Sequence, residues 1–323
     1  MNDSNNTSEK SLSTSDRIGH IDVAKAIGMI LIIFSHVWVD GSVVASSAYV
    51  TFDSVINSFY VPLFFLLSGV FDSKEWTLTK FVNRSLTLIK YIIIFGITGI
   101  LTIGLLYSRW ELASIFRGSL CWFLITLLWI NVLNIPVRRY RYGWGVIAIY
   151  IVVGCYLSYN SRSLLYLGNA LVCYPFFVSG YFLRKWAVSM LSIRRLALYW
   201  GGWFLVWILF YSPQNLSLNH ISQPYWAFYA EAIFGSLFVV ELSKLIPSRQ
   251  LSYFGRYSII PMWIQMPVIL VCSMLFIPDS FAIYILTAIL ITIVCRIIFP
   301  VFQNRKFALF SPVKFIAWQV SHK

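Results

Sequence analysis

Charge is what this sequence lacks. Only 11% of its residues are charged and 59% are hydrophobic, with a mean hydropathy of +0.75. A soluble domain carries about 25% charged residues, so the balance excludes a soluble enzyme and indicates an integral membrane protein. The apolar runs approach the length of a helical span and show no two-residue alternation. That excludes an outer-membrane barrel and favours a bundle of helices. No soluble domain, linker or internal repeat interrupts the runs, and the missing repeat counts against a secondary transporter. No GxSxG elbow, P-loop, HExxH or GxGxxG context is present. The five cysteines (Cys121, Cys155, Cys173, Cys272 and Cys295) have no metal-ligand spacing and read as small buried hydrophobes.

Acid is scarcer than base, with 12 Asp and Glu against 25 Lys and Arg, for a net charge of +13. This surplus does not point to nucleic acid, because the basic residues sit in short loops between apolar runs. Ten candidate spans lie near 20–39, 55–71, 88–107, 121–135, 143–158, 168–183, 196–211, 226–246, 257–276 and 281–302. With a cytoplasmic N-terminus, the inner loops hold groups such as Lys80 with Arg84, Arg138 with Arg139, and Arg194 with Arg195. The outer loops hold only Arg109, Arg117 and Arg162. The expected fold is all-α: a polytopic bundle of about ten transmembrane helices with both termini cytoplasmic. Residues 1–17 form a disordered tail, 18–304 the transmembrane domain and 305–323 a cytoplasmic tail. The first apolar run is too long and too polar for a cleaved leader, since it carries Asp22, Lys25 and His36.

His36 stands inside the apolar run Ile27–Trp38. A titratable side chain in a span is costly and is a functional candidate by default; the alternative is a core histidine bonded to a neighbouring carbonyl. Lys25 precedes it by eleven residues, close to three helical turns, so the two share a face about 16 Å apart along the axis. Lys25 also reads as a snorkelling residue of the inner face, with Asp22 one turn before it. In the second span Ser68 and Gly69 permit close helix approach, and Pro62 frees a backbone carbonyl that can kink the helix. The loop after it carries Lys80 and Arg84, which serve topology or clamp phosphates. Glu231 falls inside the eighth span, where it needs a partner: a protonated His36, a sugar hydroxyl or an arginine. Arg296 in the tenth span reads as snorkelling. Aromatic residues, Trp122 among them, form interface belts or stack on sugar rings. A triad of Ser68, His36 and Asp40 has no support in the spacing.

Together these residues resemble the integral-membrane acyltransferase-3 family, which includes bacterial O-antigen and exopolysaccharide O-acetyltransferases. Asp22-Val23-Ala24-Lys25 followed by Phe34-Ser35-His36 resembles its opening signature, with a basic residue, ten intervening positions and a histidine. Phe64-Phe65-Leu66-Leu67-Ser68-Gly69 resembles its FFxxSG block, and Cys121-Trp122-Phe123-Leu124 its WFL block. Arg84 falls where the family places basic residues, and Phe254-Gly255-Arg256-Tyr257-Ser258 resembles its late Gly-Lys/Arg-x-Ser block. Two departures stand out: Ala26 where relatives often have Gly, and Gln265 near a position where they often have His.

The resemblance implies an O-acyltransferase of the bacterial inner membrane with no bound cofactor or metal. Acetyl-CoA is the expected co-substrate, with its phosphates on Lys25, Lys80 and Arg84. The acceptor is a glycan or lipid-linked oligosaccharide hydroxyl, with His36 as general base or acyl relay. Glu231, Asp22, Ser68 and Trp122 are candidates for acceptor or orienting roles, and Ser68 or a backbone amide near Pro62 for stabilising the oxyanion. Rival readings are a transporter of polysaccharide or lipid-linked sugar and a non-catalytic subunit of a glycan-assembly machine.

Overall fold

The computed structural model describes residues 19–39, 47–72, 77–110, 121–139, 143–160, 164–212, 214–275 and isolated positions between 286 and 297. Eleven helices account for nearly all of it. In chain order they are α1 (Gly19–Val39), α2 (Ser47–Asn57), α3 (Tyr60–Val70), α4 (Leu78–Tyr107), α5 (Cys121–Arg139) and α6 (Gly143–Tyr159). They continue as α7 (Leu167–Val188), α8 (Ile193–Phe210), α9 (Tyr225–Ser243), α10 (Arg249–Arg256) and α11 (Ile259–Leu275). Seven segments are long and apolar enough to cross a membrane, eight if the bent α10–α11 pair counts as one. Helix α6 is apolar but shorter, and the expected tenth span lies mostly outside the described residues.

Several boundaries differ from the sequence reading. The second span is two helices broken at Ser58–Phe59, four residues before Pro62. A proline cannot donate to the carbonyl four residues back, so the break falls where Pro62 leaves the Ser58 carbonyl. Helix α4 begins ten residues earlier than the expected 88, so Lys80 and Arg84 lie on a helix rather than in a loop. Thr77 starts it by accepting a hydrogen bond from the Lys80 amide at 3.2 Å. The span expected over 257–276 is preceded by α10, which meets α11 at 81°. Between α8 and α9 the chain forms a two-residue antiparallel ladder, Gln214 opposite Ile221 and Asn215 opposite His220.

Helices α1, α3, α7 and α9 supply most of the buried core, including Ile33, Phe65, Tyr174, Phe176, Phe177 and Phe228. The α3–α7 crossing depends on two glycines facing each other's backbone. A Cβ on Gly69 would fall 1.8 Å from the Phe177 carbonyl oxygen, and one on Gly180 would fall 1.9 Å from that of Leu66. No shift of a flexible side chain relieves such contacts, so the crossing requires small residues. Gly255 does the same for α10 on α1, its missing Cβ lying 1.7 Å from the Asp22 carbonyl oxygen. The outward faces are apolar. Ile93, Ile97, Leu101 and Leu105 form an exposed stripe on α4 at helical spacing, a surface suited to lipid chains.

Candidate active site

The polar residues of the bundle gather at its two ends. One end is basic and is organised around three carboxylates. Asp22 lies 3.5 Å from Lys25 Nζ and 3.7 Å from Arg256 Nε. Asp72, just past α3, pairs with Arg84 at 3.1 Å and with Arg138, and accepts a hydrogen bond from Asn134 at 3.0 Å. Glu241 pairs with Arg195 at 3.1 Å and with Lys244. Among the described residues each carboxylate is shared by two cations. Cation–π contacts complete the packing: Lys25 over Phe71, Arg84 over Phe177 and Arg138 over Tyr181.

Helix α1 connects this end to the other. It runs antiparallel to α3, with Lys25 beside Phe71, Gly28 against Phe64 and Ser35 against Tyr60. Lys25 and His36 therefore lie on one continuous helix, near opposite ends of its packed face. His36 is partly buried, and its Nδ1 lies 2.7 Å from the Ile32 carbonyl oxygen. A carbonyl only accepts, so Nδ1 carries the proton in the neutral ring. Nε2 is then the basic nitrogen. The bond to a neighbouring carbonyl, considered above as a purely structural alternative, thus also fixes the tautomer a general base needs.

Ser35, the residue before His36, belongs to a cluster that the sequence alone does not assemble. Ser35 donates to Asp53 Oδ1 at 3.3 Å, leaving Tyr60 to donate to the Ser35 oxygen at 3.2 Å. Tyr211, just after α8, faces Asp53 and Ser54, and burial together with the Asp53 charge pushes its phenol up to about 12. Glu231 on α9 is fully buried. Its hydrogen bond is neither to an arginine nor to His36: Gln223 Nε2 donates to its Oε2 at 2.9 Å. Its other oxygen, Oε1, has no hydrogen-bond donor among the described residues, and neighbouring Ser58 gives its own proton to the Val55 carbonyl at 2.7 Å. The segment before α9 is held in place from below. Asn169 donates to the Ser217 carbonyl at 3.3 Å, Ser158 to that of Asn219 at 2.9 Å and Tyr225 to that of Cys155 at 2.8 Å.

The other expected site residues fall elsewhere. Ser68 donates to the Phe64 carbonyl at 2.8 Å, and it stands eight residues along α3 from Tyr60. That is about 12 Å of helix, so Ser68 belongs to the Lys25 level and forms no triad with His36. Asp40 lies outside the described residues. What Pro62 leaves is a carbonyl, an acceptor, and so not an oxyanion donor. Asp22 is a partner of Lys25 at the basic end. Lys80 is exposed in the first turn of α4, whereas Arg84 is committed to Asp72. Trp122, partly buried at the start of α5, packs edge-on against Phe123, 6.1 Å between ring centroids. Gln265 on α11 is completely buried, and neither amide atom meets a hydrogen-bond partner among the described residues. Such a group, inside an apolar bundle, is suited to a polar ligand. Among the described residues no cluster of three or more His, Cys, Asp or Glu could hold a metal. Arg296 is exposed.

A family model described as an acyltransferase domain matches residues 18–299. No curated protein and no solved structure matches the chain.

Proposed function

The chain belongs to the acyltransferase-3 family and is a multi-pass membrane acyltransferase; on that footing we propose that it acetylates a hydroxyl of a cell-surface or lipid-linked glycan. The donor in this reading is cytoplasmic acetyl-CoA, and the membrane is the bacterial inner membrane. The observation that carries the reading is the His36–Ile32 bond, which leaves Nε2 as the basic nitrogen of a histidine next in sequence to Ser35 and its Asp53 and Tyr60 partners.

In this scheme the donor's phosphates face the basic end, where Lys25, Lys80 and Arg84 lie. The thioester reaches along α1 toward His36. Nε2 takes the proton of the sugar hydroxyl as its oxygen attacks the thioester carbonyl. The tetrahedral adduct collapses, the carbon–sulfur bond breaks, and the departing CoA thiolate takes the proton back from the imidazolium. In the relay variant Nε2 itself attacks the thioester carbonyl and expels the CoA thiolate; the sugar oxygen then displaces the imidazole from the acetyl group, and its proton goes to the thiolate. Asp53, the Tyr60 oxygen and the buried Oε1 of Glu231 supply acceptors for the sugar's other hydroxyls. Trp122 offers an apolar ring face. The buried Gln265 amide supports a further polar contact to substrate.

The test uses membrane vesicles containing the protein, acetyl-CoA and a glycan extract. Thiol should be released only when both donor and glycan are present, with acetyl ester appearing on the glycan. Glycan that crosses the membrane without consuming acetyl-CoA would overturn the reading in favour of transport.

A further inference from the structure

The basic end carries a cavity of about 580 Å³ between α1, the end of α9 and α10. Its walls include His20 and Val23 of α1, Lys244 after α9, and Arg249, Tyr253 and Arg256 of α10. Among the described residues no carboxylate lines it. The volume lies within the range of small-molecule pockets, about 300–1,000 Å³.

The charge around it is unbalanced. Arg256 and Lys25 share the single carboxylate of Asp22, and Lys244 and Arg195 share that of Glu241. Arg249 is exposed and has no ion pair among the described residues. Three cations, Lys244, Arg249 and Arg256, therefore line one cavity. Ser248 caps α10 by accepting from the Leu251 amide at 3.2 Å, which sets the positive end of that helix at the same wall. Tyr253 adds an aromatic surface, 38% exposed and set at 61° to Tyr257. Cations, volume and a ring face together match a phosphorylated nucleotide better than a simple anion. The Asp72 cluster is also basic, but both its guanidinium groups are bonded to the carboxylate and packed on rings.

We propose that this cavity seats the nucleotide end of the acyl donor, with Arg249 and Arg256 on the phosphates and Tyr253 against the base. The assignment rests on the reading that the donor is an acyl-CoA. Val23 on the cavity wall precedes His36 by thirteen residues of α1, about 20 Å of helix. An extended thioester arm is the part of such a donor that spans this gap, passing Lys25 on the way.

The experiment measures CoA binding to the full chain in phosphatidylcholine nanodiscs by calorimetry. Arg249→Ala should weaken binding about tenfold, the scale of one charged hydrogen bond, and Tyr253→Ala should weaken it measurably. Lys185→Ala, an exposed cation of the same end, should leave affinity within about twofold. Unchanged melting of the Arg249 variant excludes misfolding as the cause. Wild-type binding that neither variant weakens would overturn the cavity assignment and leave the donor reading intact. Absence of CoA binding by the wild type would overturn both. Saturation of the Arg249-dependent site by phosphatidylglycerol, with CoA unable to compete, would assign it to a lipid headgroup and overturn the proposal.

Discussion

His36 and Ile32 are joined within one turn of α1: the imidazole Nδ1 lies 2.7 Å from the Ile32 carbonyl oxygen. That single contact decides which nitrogen is basic. It also limits rotation of the ring, so Nε2 keeps a fixed direction on α1.

Lys25 stands at the other end of the same helix face and is held by Asp22 and the Phe71 ring. Its role in the account is donor contact alone. Lys25→Ala should raise the KM for acetyl-CoA by about tenfold while leaving the acceptor KM unchanged. Steady-state kinetics with each substrate varied in turn checks this. An unchanged acetyl-CoA dependence would remove Lys25 from the donor path.

Glu231 is fully buried, with one oxygen on Gln223 and the other with no donor among the described residues. Glu231→Gln preserves shape and can still accept from Gln223. It should lower kcat/KM for the glycan about tenfold, with little change in melting temperature. Glu231→Ala strands the Gln223 amide and should in addition cost about 1–3 kcal/mol of stability. If the two variants melt alike and both keep full activity, Glu231 is neither an acceptor contact nor a structural anchor.

Asp72 takes hydrogen bonds from Arg84, Arg138 and Asn134, and Asn134 in turn accepts from the Tyr174 hydroxyl at 3.0 Å. The network ties the ends of α3, α4, α5 and α7. Asp72→Asn leaves two partly buried guanidinium groups without their counter-charge. The full cost of breaking a buried pair is about 3–5 kcal/mol. Partial exposure of Arg84, 31%, reduces the expected loss to about 2 kcal/mol. Denaturant melts in detergent measure it. A variant as stable as the parent would show that the four helices are held there by apolar packing alone.

The helical bundle and the Lys25–His36 axis were legible in the sequence because both depend on local period and spacing. Residues Gly19–Val39 do form one helix, and Ser68-Gly69 does mark a close crossing. Spans were misjudged where polar residues are helical for tertiary reasons. Arg84 sits on α4 because Asp72, twelve residues back, neutralises it there, and an apolar-run criterion discards both. The cluster of Ser35, Asp53 and Tyr60 was missed because its members come from separate segments joined only by packing. The available signal was modest: Asp53 is one of few carboxylates in an acid-poor chain, and it precedes an apolar run. Gln265 was visible as a polar residue in an apolar helix, but its complete burial was not.

The most direct test of the account is surface-glycan NMR of a deletion strain complemented with the wild type or with His36→Ala. The account predicts an O-acetyl signal restored by the wild type and lost with His36→Ala, whose rate should fall at least about 10²-fold, with both proteins inserted in equal amount. Full restoration of that signal by His36→Ala would contradict it and leave the histidine a structural residue.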